Sequence, residues 1–243
     1  MNEIESLEVP EPGEDNRLGL LVEATGDVED AIGDEVWVYG CSGGAFSQAV
    51  ELRGFEQFIE DIYINPEKAE KLMEVATQLS LEQAERLARK GCGIYLFESW
   101  ATIPLIRPSI FRDYVVPANR RVISHVRENY DVPPPAVIMG GDTAQLMDFF
   151  IEAGTSLVVA DFNTDFDFMR RKMGDRDMVV RGCVDPKLIE KGDWGALEEA
   201  IGTLSEKAEG MNNFVWGCGC VPYDATPENV LRFKELCLDA DRS

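Results

Sequence analysis

Six short runs of apolar, β-prone residues recur along the chain: EVWVYGC (35–41), GIYLFES (93–99), PAVIMGG (135–141), SLVVADF (156–162), MVVRGC (178–183) and NFVWGC (213–218). Their hydrophobicity is nearly continuous and lacks the polar alternation of a sheet with one wet face. That pattern marks parallel strands covered on both sides, by helices or by a filled barrel interior. Longer helical patterns separate the runs, so the class is α/β. Parallel strands joined by helical crossovers gather their carboxyl ends on one face, and here those ends carry Gly, Asp, Ser and Cys, residue types suited to loops and sites.

The helices are marked by their own punctuation. Asn65-Pro66 supplies an N-cap and a proline at the first helical position, and Ala69, Leu72, Met73, Ala76, Leu79, Leu81, Ala84 and Leu87 keep helical spacing until Gly91. Further helices are expected over 108–130, bent near Pro117, over 143–153, over 195–209, and from Thr226-Pro227 to about Leu238. Residues 1–17 combine Pro10, Pro12 and Gly13 with many carboxylates and are expected to form a flexible acidic tail. The remainder, 18–243, is expected to fold as one domain, since 243 residues at 45% hydrophobic content support one sizeable core.

Charge narrows the function classes. Acidic residues outnumber basic ones 45 to 23, a formal charge of −22, which opposes binding to nucleic acid or to anionic lipid. No run reaches the roughly 18 apolar residues of a membrane span, and the acidic start is unlike a signal peptide, so a cytoplasmic protein is expected. The six cysteines are scattered through a chain large enough to do without disulfides. Reduced thiols follow, with ligation as the chemistry open to them.

Several phrases, in order and at matching spacing, carry a resemblance: YGCSGGAFSQAVELRGFEQFIEDIYINPE (39–67), LFESWATIPLIRPSIFRDYVVPANRRVI (96–123), GDRDMVVRGCVDP (174–186) and GCGCVPYDATPENV (217–230). Together they resemble the uroporphyrinogen decarboxylase superfamily, which includes the decarboxylase and cobalamin-dependent methyltransferases. The resemblance spans about residues 18–240 and implies a (β/α)8 TIM-type barrel with its C-terminal six βα units present. Only 34 residues precede the first run, whereas a βα unit needs about 30. The superfamily's first two units therefore do not fit, and a barrel closed by another chain, such as a homo-oligomer partner, is one expectation.

At the strand ends, Glu98-Ser99 aligns with an acidic-Ser pair that contacts a substrate carboxylate in the decarboxylase. Asp142, after Gly140-Gly141, opens a helix at Thr143. Capping accounts for these three residues equally well, and both readings stand. Many of the methyltransferases hold zinc with a His-X-Cys-Gly stretch at the fifth barrel strand and a Cys at the eighth. The corresponding stretch here is Ile138-Met139-Gly140-Gly141, so two of those three ligands are absent. The loop that commonly reads Gly-Asn-X-Asp-Pro is instead Gly182-Cys183-Val184-Asp185-Pro186.

A branch resembling the methyltransferase subunit of aryl-ether demethylases uses a carboxylate and two cysteines, and Asp161, Cys183 and Cys218 stand at three successive strand ends. Neighbouring parallel strands lie about 4.8 Å apart, so such a set is expected to converge on one zinc ion with an open coordination position. Cys220 competes with Cys218 as the ligand, and Asp165 and Asp167 are alternative carboxylates. Ordinary buried thiols are the other reading of Cys183 and Cys218.

Three functions follow as expectations. The first is a zinc-dependent methyltransferase that passes a methyl group from a small methylated substrate to a corrinoid protein. The second is a cofactor-free carboxy-lyase of the uroporphyrinogen decarboxylase type, although that family's arginine-bearing segment precedes the third strand and is absent here. The third is a non-catalytic barrel fragment completed by a partner chain. Trp37, Trp100 and Trp216 are expected in the core.

Overall fold

The computed structural model describes Leu7, Val9 and residues 17–241. The tail expected over 1–17 lies outside the described residues apart from Leu7, Val9 and Arg17. In chain order the elements are α1 (Arg17–Ile32), β1 (Tyr39–Gly43), α2 (Ala45–Arg53), α3 (Phe55–Ile64), α4 (Pro66–Arg89), β2 (Gly93–Phe97) and α5 (Pro108–Ile110). A π-helical turn (Phe111–Val115), α6 (Val116–Asn129), β3 (Ala136–Ile138), a 3-10 turn (Ala144–Leu146) and α7 (Met147–Ala153) follow. The chain continues through β4 (Leu157–Ala160), α8 (Phe166–Met173), β5 (Val179–Val184), α9 (Pro186–Lys191), α10 (Trp194–Ala208), β6 (Phe214–Cys218) and α11 (Pro227–Ala240).

Among the described residues the six strands pair in parallel, in keeping with their apolar continuity, in two three-stranded sheets ordered β1-β2-β3 and β4-β5-β6. A closed barrel is not seen among the described residues. The chain divides into two compact units, one of residues up to Met139 with Asp148–Ser156, the other of Gly140–Met147 with Leu157 onward.

In the first unit, α4 lays its buried row of Ala69, Leu72, Met73, Ala76, Ala84 and Leu87 against the sheet. Full burial of a leucine contributes on the order of 2 kcal/mol. The helix comes so close that a Cβ at Gly40 would sit 2.3 Å from Leu87 Cδ2. The first strand spans 39–43 rather than the expected 35–41. Val36 and Trp37 fall before it, and Trp37 is 69% exposed, contrary to the core position expected of it. The bend near Pro117 is realised one turn earlier, as the π-helical turn Phe111–Val115. Proline lacks the N–H that would bond Asp113 O, and its ring crowds that carbonyl, so the turn widens. Asn65 holds the N-cap position of α4 but makes no capping bond with its side chain.

In the second unit the sheet is covered on one face by helices. Val184, Ile189, Leu197, Ile201, Phe233 and Cys237 form the cluster between them, with Trp216 and Cys218 packed against it. Thr226 caps α11 as expected, accepting from Asn229 N at 3.2 Å. Among the described residues no helix is long and apolar enough to cross a membrane.

Candidate functional site

Glu98 follows β2 in the first unit and is fully buried. Its Oε2 accepts from Ser47 N at 3.0 Å and from Ser47 Oγ at 2.9 Å, and Ser47 Oγ in turn accepts from Trp100 N at 3.1 Å. Ser47 is the third residue of α2, where a helix presents amides without intrahelical partners. The N-cap residue of α2 is Gly44, which has no side chain to take them. The cap therefore comes from another element: the carboxylate at the end of β2 does what an Asp at position 44 would otherwise do. Gly44 has to be glycine for this, because a Cβ there would lie 2.2 Å from Glu98 Cδ.

Burial pushes the Glu98 carboxyl up to about 7, against the hydrogen bonds from Ser47 that favour its ionised form. Among the described residues its second oxygen, Oε1, makes no hydrogen bond of good geometry, although the Phe46 amide and the Asn119 side chain also act to lower this carboxyl. Ser99 is exposed, so the acidic-Ser pair of the sequence does not present one shared surface.

The second unit holds the remaining predicted residues. Asp142 is half-buried and accepts from Ala144 N at 3.2 Å, the capping arrangement. Asp161, one residue past β4, accepts from Gly141 N and from Phe162 N, each at 2.9 Å, so its carboxylate pins the 140–146 loop to the strand end. Thr143 and Thr164 add bonds to Val159 O and Gly141 O. Asp165 caps α8 through Phe168 N, and Asp167 faces Lys207 at 3.8 Å, so neither alternative carboxylate joins the others.

Register decides which of the cysteines can meet. Cys183 pairs with Gly217, and Cys218 pairs with Val184. Successive side chains of a strand point to opposite faces. Cys218 therefore lies on the face of Val184 and Trp216, against the helices, close enough to Cys237 to raise that thiol further after burial has done so. Cys183 lies on the other face. Ala160 pairs with Gly182, which brings Asp161, the next residue, level with Cys183. The row across this face is thus Asp161, Cys183, Gly217. Cys220 is exposed on the loop after β6. Among the described residues no three His, Cys, Asp or Glu side chains are grouped to hold a metal ion. The expected zinc set of Asp161, Cys183 and Cys218 does not fit this register, since it offers two donors on one face and the third on the other.

One residue that the sequence reading did not single out stands in the same place. Arg181 lies two positions before Cys183 and so on its face, in a strand otherwise apolar; a cation inside MVVRGC was the available signal. Its side chain crosses β6 where Gly217 leaves room, since a Cβ there would come within 2.4 Å of Nε and 3.1 Å of Cys183 Sγ. Arg181 donates to Cys218 O at 3.1 Å. Burial pushes the Cys183 thiol up to about 12, the nearby guanidinium opposing that rise and Asp161 and, across the sheet, Cys218 reinforcing it. A cavity of about 370 Å³ opens between the ends of β4 and β5 and helix α10, lined by Asp161, Cys183, Leu188, Ala200, Leu204 and Lys207 among others, and not by Arg181.

The sequence profile of the uroporphyrinogen decarboxylase family matches residues 1–239. A uroporphyrinogen decarboxylase of Syntrophotalea carbinolica is 25% identical over 94% of this chain and 66% of its own length. One of a Jannaschia species is 27% identical over 74% of this chain and 50% of its own length. A solved methyltransferase from Methanosarcina mazei superposes with a TM-score of 0.79 at 18% identity, over 98% of this chain and 68% of its own, a likeness of fold. The chain spans about two-thirds of the length of the first of these relatives.

Proposed function

We propose that this chain, which belongs to the uroporphyrinogen decarboxylase family, is a carboxy-lyase-type enzyme acting on a small carboxylic acid at the face of Asp161 and Cys183. The observation that carries this reading is the β5-β6 register, which turns Cys218 away from Cys183. A catalytic zinc needs three protein donors around one point, and this face supplies two. Loss of carbon dioxide makes no such demand. The electron pair stays on the substrate's own carbon until a proton replaces the lost group, and hydrogen-bonding and acidic side chains suffice to support that exchange. Asp161, held by two amides, keeps a fixed carboxylate on the face.

Zinc-dependent methyl transfer to a corrinoid protein is the second reading, favoured by the level placement of Asp161 and Cys183, a hard and a soft donor on neighbouring strands. Metal analysis of chelator-free protein separates the two. The lyase reading expects no stoichiometric zinc in either the parent or Cys183→Ser, together with release of carbon dioxide from an acid substrate. Zinc bound one to one and lost in Cys183→Ser would overturn it in favour of methyl transfer.

A further inference from the structure

We infer that Arg181 is the anion-recognising residue of this face, taking the carboxylate of a small acid whose apolar body rests against Val215. The inference rests on the carboxy-lyase reading of the same face and names the group by which the substrate is held. Three observations carry it.

The first is unspent hydrogen-bonding capacity. A guanidinium has five N–H donors in a planar fork. Arg181 donates one bond, to Cys218 O, and no carboxylate lies within ion-pair distance of it among the described residues. An arginine needed only to tie β5 to β6 would use its capacity no better than a glutamine.

The second is the room made for it. Gly217 has no side chain where Arg181 crosses, so the arginine lies over β6, where its bond to Cys218 O holds the guanidinium. Its field reaches both the Cys183 and the Cys218 thiols. A fixed positive charge there disfavours a second cation and favours an anion, and the fork matches the two oxygens of a carboxylate.

The third is Val215. It pairs with Arg181 across β5-β6 and so shares its face, yet it is 43% exposed, an uncovered β-branched side chain in the middle of a strand. An apolar group attached to the bound carboxylate would cover it.

The test is isothermal titration of the full chain with benzoate, and with benzamide as its neutral isostere. Benzoate is expected to bind at least tenfold tighter than benzamide. Arg181→Gln, which retains a donor for Cys218 O, is expected to weaken benzoate about tenfold to a hundredfold and leave benzamide unchanged, with Arg181→Lys between. Circular dichroism checks that each variant folds. Gly217→Ala displaces the guanidinium without altering it, and should weaken benzoate likewise if Arg181→Gln fails to fold. Failure of the parent to bind benzoate, equal binding of benzamide, or unchanged affinity in these variants would overturn the inference. Zinc lost in Cys183→Ser would instead overturn the lyase reading, while an Arg181-dependent preference for benzoate would still stand.

Discussion

Glu98, at the end of β2, accepts both the amide and the hydroxyl of Ser47 on α2, so one strand end caps the helix that follows the neighbouring strand. The two residues are 51 positions apart in sequence. The bond therefore fixes the β1-α2 turn only once β1 and β2 have paired.

Gly44 is the steric counterpart of that bond. Gly44→Ala is expected to destabilise the protein by about 1–3 kcal/mol, the usual effect of forcing a methyl into a filled site. Ser47→Ala removes one of the two bonds and should cost about 1 kcal/mol. A double-mutant cycle between Gly44→Ala and Glu98→Ala should be strongly non-additive, because shortening Glu98 vacates the space that the new methyl needs. Additive urea-denaturation energies would contradict the contact.

Stability should depend on pH through Glu98. Its folded-state value of about 7 lies above the ordinary 4.5, so folding favours the protonated form. That contribution is complete below pH 4.5 and is lost as pH rises through 7. The span corresponds to about 3 kcal/mol. Glu98→Gln keeps an acceptor for Ser47 and has no proton to lose. The difference in unfolding free energy between parent and variant, measured from pH 4 to 8, should therefore move steadily in favour of the variant. A flat difference would mean that the carboxyl is solvated.

Thiol chemistry should divide by burial. Cys183 is 5% exposed and its thiol is pushed up to about 12, whereas Cys220 is exposed. The thiolate is the reactive form. Brief iodoacetamide treatment at pH 8, followed by peptide mass mapping, should label Cys220 and spare Cys183 in the folded protein, and label both in urea.

Cys218 should behave as a packing residue. Cys218→Ala removes a side chain that lies against Trp216 and the α11 cluster, and should lower stability by about 1 kcal/mol. It should leave benzoate binding within twofold of the parent, unlike Arg181→Gln. A large effect on binding would place Cys218 on the face of Cys183 and contradict the register.

Much of this protein was written into local pattern. Continuous apolar runs determined six parallel strands, helical spacing from Ala69 to Leu87 determined α4, and Thr226-Pro227 marked the start of α11, because each depends on neighbours three or four residues away. Strand ends rich in Asp and Cys drew attention to the carboxyl ends of the second sheet. What the sequence could not fix was the face on which each of those residues lies. Cys183 and Cys218 look equivalent as strand-end thiols, yet a one-residue offset in pairing sends them to opposite sides of the sheet. Glu98 and Gly44 look like separate loop residues until tertiary packing makes one the cap of the other's helix. Register and close approach are set by contacts between distant segments. Only the tertiary structure could therefore decide that Asp161, Arg181 and Cys183 share a face, and that Gly217 leaves the room Arg181 takes across β6.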